Sequence, residues 1–362
     1  MKKCLIAILL LTSAMQICGA TTDSLALNKQ SHGNIFSGIY RFVKEFSNID
    51  TSYIEPQHYN YTVMMQNTYT YESYRLTTKE NPSLTLSPEP SIKIGPYIGW
   101  RWIFLGYTLD VNNLSADKNR KELDLSLYSS QIGIDLFWRK TGSGYKIRTA
   151  YLGKDIDTSP MKDISFNGFN SSIKGFNIYY IFNHKKFSYP AAFSQSTVQR
   201  RSCGSPLLGL GYTKHSVNMD WTKFRDVLAN RMGTDIAETY LDSSLVSSNI
   251  KYTDISISGG YAYNYVFARN FLLAASVSIA LGYKNSVGDM LHDKWSIQDF
   301  SLKNFNIDGI GRFGFVWNNT HWYAGTSVIV HSYNYNKEQF STNSLFGSLN
   351  IYVGVNFGRK KH

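Results

Sequence analysis

Apolar and polar residues alternate with a period of two along most of the chain. In LNIYVGVNF, Leu349, Ile351, Val353, Val355 and Phe357 take every second position, with Asn350, Tyr352, Gly354 and Asn356 between them. Successive side chains of a strand point to opposite faces, so this segment has one apolar face and one that is mostly polar or small. The pattern recurs in Ile255, Ile257, Tyr261, Tyr263, Tyr265 and Phe267, and again in Leu273, Val277, Ile279, Leu281 and Tyr283. It also runs through Phe176, Ile178, Tyr180 and Phe182, and through Ile92, Ile94, Ile98, Trp100 and Trp102. The alternation predicts about twelve strands. They fall near residues 60–76, 88–99, 101–112, 121–138, 144–153, 173–183, 205–219, 250–267, 270–284, 302–317, 320–335 and 342–357. Between Leu127 and Ile132 the phase slips near Ser129, which reads as a β-bulge inside one long strand.

The connections alternate too. Short ones fall at Gly99 to Arg101, at KTGSG (Lys140 to Gly144), at Ala268 to Asn270 and at Asn318 to Thr320. Long ones fall at 77–87, 113–120, 154–172, 220–249 and 285–301, the fourth containing a helix-like WTKFRDVLANRM at Trp221 to Met232. Short turns on one side and long loops on the other mark an outer-membrane barrel. The exception is the loop 184–204, which is long on the short-turn side.

Composition sharpens this picture. Tyr, Phe and Trp make up 15% of residues, while mean hydropathy is −0.26. Membrane interfaces enrich such aromatics. A spanning helix needs about 20 apolar residues, and the only notable apolar run, Cys4 to Leu11, is too short. The fold class expected is therefore all-β, an antiparallel transmembrane β-barrel of about twelve strands. A soluble exported β-sandwich is the rival and would pack these apolar faces inward.

The first residues, MKKCLIAILLLTSAMQICGA, carry Lys2 and Lys3, the apolar run, and a small-residue end. They predict a signal peptide over 1–20, a periplasmic N-terminal segment over 21–57 with a short helix at IYRFVKEF, and a barrel over 58–362. A lipoprotein cut before Cys18 is the alternative, and bulky Ile17 opposes it. Removal of the signal leaves Cys203 alone, so no intramolecular disulfide can form. The formal charge of +11 loses two lysines and no acid, leaving +9. That excess suits anionic lipid headgroups or a small anionic solute. An exported chain with no basic helix excludes nucleic acid as a partner.

Candidate chemistry is sparse. GIGRFG (Gly309 to Gly314) fits a dinucleotide fingerprint, but it lies inside an alternating strand rather than between strand and helix. Its glycines are expected to relieve crowding in the wall. The histidines show no metal-ligand spacing, and no cofactor is expected. His331 reads as a membrane-interface side chain and His215 as a solvated strand end. A lipid-modifying enzyme would need Ser and His on one face. His215-Ser216 and His331-Ser332 place them on opposite faces, so no catalytic residue is assigned.

Two stretches carry candidate function. The loop NHKKFSYPAAFSQSTVQRRSCGS holds His184, Lys185, Lys186, Tyr189, Pro190, Arg200 and Arg201. It is expected either to fold against the rim or to turn into the lumen as a constriction whose basic groups favour anions. Leu349, Tyr352 and Phe357, in the last strand, form a candidate signal for the barrel-insertion machinery, although GRKKH follows Phe357.

The run YYIFNHKKFSYPAAFSQSTVQRRSCGSPLLGLGY resembles the signature of an uncharacterised family of outer-membrane proteins of the Bacteroidetes, domain of unknown function 4421 (DUF4421). IDTSYIEP and GGYAYNYVF resemble further motifs of that family. The resemblance spans about Ile49 to Phe357 and implies an outer-membrane barrel of a Gram-negative bacterium, with no activity attached. The functions expected are a small-solute pore constricted by 184–204, or a filled-lumen structural or surface-interaction barrel.

Overall fold

The computed structural model describes residues 49–360 apart from 79–81, 101–102, 107–108, 112–120, 142–143, 242–246, 287–303 and 337–339. The expected signal peptide and the IYRFVKEF helix lie outside these residues. The wall is built from β2 (Tyr59–Thr78), β4 (Ser91–Trp100), β5 (Ile103–Gly106) with β6 (Leu109–Asp110), β7 (Lys121–Tyr128), β8 (Ile132–Thr141), β11 (Phe169–Ile181), β13 (Cys203–Asp220), β14 (Ser247–Ala268), β15 (Phe271–Ser286), β16 (Phe305–Asn318), β17 (Trp322–Asn336) and β18 (Phe340–Arg359). Counting β5 and β6 together, this is a twelve-stave antiparallel transmembrane β-barrel. Lipid cannot satisfy backbone amides, so the last strand must find the first. It does: β18 pairs β2 from Phe340↔Thr78 to Arg359↔Tyr59. Among the described residues no ladder joins β7 to β5 or β6, which stand as the two ends of the wall.

The alternation sorts side chains as expected. Leu210, Ile257, Leu281 and Ile307 are partners in register across β13 to β16, and each is more than half exposed on the outer face. Toward the end that carries Tyr59 and Arg359, here the terminal end, the outer face becomes aromatic. Phe267 lies 5.7 Å from Phe271 and 6.1 Å from Phe315, ring to ring, and Tyr61 stacks on Phe357 at 5.6 Å. An aliphatic band bordered by aromatics is the outer surface of a membrane barrel, not of a sandwich with inward apolar faces.

Two expectations are corrected, and the corrections cancel in the strand count. Residues 121–138 are not one bulged strand. β7 and β8 pair back on each other from Lys121↔Lys140 to Tyr128↔Gly133, so the phase slip is a hairpin turn. Ser129 closes it by donating both its amide and its hydroxyl to the Ile132 carbonyl, at 2.8 and 3.0 Å. Residues 144–153 are not a wall strand. β8 pairs β11 directly, so Lys140 and Thr141 lie at the far end, where an excursion begins. That excursion holds β9 (Tyr145–Tyr151), a 3-10 turn at Ser159–Met161 and β10 (Ile164–Phe166), and β9 pairs β3 (Ser83–Pro88) beside β2. Together they cover the far end of the barrel.

Three helices are present among the described residues: α1 (Tyr189–Phe193), α2 (Trp221–Met232) and α3 (Thr234–Tyr240). α2 is the helix read from the sequence. Asp220 caps it by accepting a hydrogen bond from the Lys223 amide at 3.0 Å.

Candidate functional site: the lumen and its plug

The long loop of the terminal end turns into the barrel. Pro190 fixes the first turn of α1, and the Ser188 hydroxyl caps it by accepting from the Ala191 amide at 3.2 Å. Tyr189 and Pro190 are buried. The Tyr189 hydroxyl donates to Ser276 Oγ on the inner face of β15 at 2.6 Å. Its ring lies 5.6 Å from Tyr128 and 5.4 Å from Tyr179. Ala191 and Ala192 pack on Leu272, Ala274 and Val316. Gly314 faces the plug, and a Cβ there would meet the Ala192 carbonyl at an ordinary contact distance of 3.4 Å. Gly309 and Gly311 meet nothing closer, so the crowding expected at the glycines of GIGRFG is not found at these three positions.

The chain then passes Gln195, a non-glycine residue at φ 54°. Such a conformation persists where contacts over-determine it. Gln195 Nε2 donates to the Tyr352 hydroxyl at 2.7 Å and to the Ala192 carbonyl at 3.2 Å.

The basic residues of the loop do not line the lumen. His184 is buried against Gln131, 3.1 Å between Nε2 atoms. Lys185, Lys186 and Arg201 are exposed at the rim. Lys186 and Arg201 sit over the Tyr53 ring at 5.1 and 5.6 Å. Arg200 pairs with Glu55 and donates to Asn270 Oδ1 at 2.7 Å. These cations hold the N-terminal segment: β1 (Ile54–Pro56) pairs β12 (Thr197–Gln199), and the Asp50 amide donates to the Lys185 carbonyl at 2.8 Å.

Glu55 is the ionic centre of this latch. Partial burial opposes its ionisation, but hydrogen bonds from His58 and Arg200 outweigh that and hold its carboxyl below the ordinary value of 4.5. A depressed carboxyl stabilises above its ordinary value and loses that contribution as pH falls through the lower folded value. Spin labels at Ser52→Cys and Ser196→Cys, with Cys203→Ser, should give a narrow distance distribution at pH 7 that broadens well below pH 4.5. Glu55→Gln should be broad at both. An unchanged width in acid and in the variant would show that Glu55 does not hold the latch.

The middle of the lumen is crossed by charge. Arg312 on β16 pairs with Asp135 on β8, although β11, β13, β14 and β15 separate those strands on the wall. Arg312 is 1% exposed, and its guanidinium lies 5.0 Å over the Tyr179 ring. Lys284 is fully buried and bonds Asp308 at 2.7 Å. His331 stacks on Phe346 at 4.9 Å and His215 on Tyr252 at 4.4 Å. Both histidines face the lumen, so neither the interface reading of His331 nor the solvated reading of His215 stands. The sequence did carry a signal for this network: Asp308 and Arg312 sit at inward parity between outward Ile307, Phe313 and Phe315.

The far end is filled by apolar packing. Tyr74 of β2 lies 5.3 Å from Phe169 of β11, and the two strands are not neighbours. The Tyr145 hydroxyl bridges Glu72 at 3.0 Å and Ser171 at 2.6 Å. Trp221, Phe224 and Leu228 of α2 join the same cluster.

Between plug and network a chamber of about 680 Å³ remains, lined by β2, β4, β7, β17, β18 and the plug residues Phe193 to Ser196. The candidate insertion residues divide between faces. Leu349 and Phe357 are exposed outward, while Tyr352 is 5% exposed and points into this chamber. Parity separates Tyr352 from the other two.

Solved structures with a similar strand arrangement include the outer membrane protease OmpT from Escherichia coli (8% identity, 82% of this chain and 97% of that one, TM-score 0.35). Others are the toluene transporter TodX of P. putida (9%, 83% and 91%, TM-score 0.24) and the translocator domain of the autotransporter NalP from Neisseria meningitidis (8%, 89% and 94%, TM-score 0.32). No curated protein matches the chain. A family model matches residues 48–357, nearly all of the described structure, and the chain belongs to that family, Domain of unknown function (DUF4421).

Proposed function

We propose that this protein is an outer-membrane barrel that stands closed, with its lumen filled at three levels, and acts as a structural or surface-interaction barrel rather than an open pore. The observation that carries this reading is the Asp135–Arg312 pair, which crosses the lumen between strands that are far apart on the wall. The plug below it and the apolar cluster above it support the same conclusion. Export by the N-terminal signal, assembly through the barrel-insertion machinery and contact with outer-membrane lipids follow as parts of this reading. No reaction is assigned.

The second reading is a gated small-solute pore. It is favoured by the plug's attachment to the wall, which rests on individual hydrogen bonds such as Tyr189–Ser276 and Gln195–Tyr352 together with two small apolar clusters. Single-channel recording in planar bilayers separates the two. The closed barrel predicts no steady conductance from the wild type or from a chain lacking Pro190 to Ser202, because the mid-lumen pair and the far cluster persist. A conductance that appears on that deletion makes the plug a gate and replaces the first reading with the second.

A further inference from the structure

We propose that the chamber is a binding site for a small neutral polyhydroxylated molecule, a short saccharide in chemical class. Its volume of about 680 Å³ lies within the range of roughly 300–1,000 Å³ usual for small-molecule sites. Its wall combines side-chain amides and hydroxyls. Gln66 Nε2 donates to Asn350 Oδ1 at 3.0 Å, and the Thr68 hydroxyl donates to the same oxygen at 2.8 Å. Thr70 is 3% exposed and lines the chamber, yet its Oγ1 has no hydrogen-bond partner among the described residues. A buried hydroxyl without a partner is costly, and a ligand hydroxyl that both donates and accepts satisfies it.

Charge argues against an ion. Lys93, the one lining cation among the described residues, bonds Glu122 at 2.6 Å, and Arg139 bonds Asp124 at 2.6 Å. Among the described residues, no lining cation is left unpaired to meet an anion. Tyr97, Phe193 and Tyr352 add ring surface to the same wall, suited to the apolar face of a sugar ring.

The plug forms the chamber's terminal side. Ser194, Gln195 and Ser196 line the chamber and also a narrow crevice at the rim formed with Asn60, Thr62 and Asn356. The Gln195–Tyr352 hydrogen bond holds this thin partition in place.

The test is calorimetric titration of the full-length mature protein, folded in detergent, with maltose as the neutral probe and gluconate as the charged one. The expected result is saturable maltose binding, weakened at least tenfold by Asn350→Leu and abolished by the space-filling Ser348→Trp, with gluconate silent. Each variant is first checked for the heat-modifiable mobility of a folded barrel, and either one alone suffices if the other does not fold. Gln195→Ala frees the partition and controls for access. No maltose binding in the wild type and in Gln195→Ala overturns the proposal, as does binding indifferent to both chamber variants or a preference for gluconate. None of these outcomes alters the conductance result, so this inference and the closed-barrel reading fail separately.

Discussion

Arg312→Leu is expected to destabilise the folded barrel by about 3–5 kcal/mol, because removing one partner of a buried ion pair leaves the other charge uncompensated. Both partners are almost fully enclosed, Arg312 at 1% and Asp135 at 5% exposure. Among the described residues Asp135 has one further donor, the Ser126 hydroxyl at 2.7 Å, which cannot replace a guanidinium. Burying an ion pair costs desolvation that its own attraction only partly repays. The double variant Asp135→Leu/Arg312→Leu should therefore recover most of the loss. Urea unfolding of the detergent-folded protein, followed by tryptophan fluorescence, measures all three. A single variant that loses less than about 1 kcal/mol would mean that water reaches the pair and that the middle of the lumen is not sealed.

The wall was legible in the sequence because the rule behind it is local. A stave has one face toward lipid and one toward the lumen, and a period of two records this residue by residue. Alternation does not record which end of the barrel a turn belongs to. At Ser129 the phase slip marked a real discontinuity, but a bulge and a tight hairpin disturb the phase in the same way. At 144–153 the strand is genuine, yet it pairs outside the lipid band, and its inward face packs on a cap instead of a wall neighbour. The plug was visible as an anomaly of length. The fate of its cations was not, because their partners, Tyr53 and Glu55, lie more than a hundred residues upstream. Neither end of that contact has a period to betray it.

That long-range contact joins the two stretches that carried the family resemblance. IDTSYIEP and the 184–204 loop meet as β1 and β12, with Arg200 bonded to both the Tyr53 carbonyl and Glu55. Two motifs distant in sequence are thus one structural unit, the latch that seats the plug. The residues that look most like a signature are those that close the terminal end, and the wall around them needs only the right alternation.

The lipid face itself makes the second strong prediction. Ile257→Arg should cost about 2–4 kcal/mol, the penalty for a cation near the middle of the bilayer on a barrel's outer surface. Ile257 is 61% exposed and sits in register between Leu210 and Leu281, both exposed aliphatics, so the substitution breaks no packed core. The cost comes from the solvent, and it must depend on depth. Tyr265, on the same outward face of β14 but in the aromatic border, should tolerate arginine at about 0–1 kcal/mol, since the side chain reaches the headgroups. Unfolding titrations of both variants in phospholipid vesicles give the comparison. Equal penalties at the two positions would remove the membrane from the explanation, and two near-zero values would place Ile257 in water. A gradient from Tyr265 to Ile257 has one physical source, a hydrocarbon layer centred on the aliphatic band.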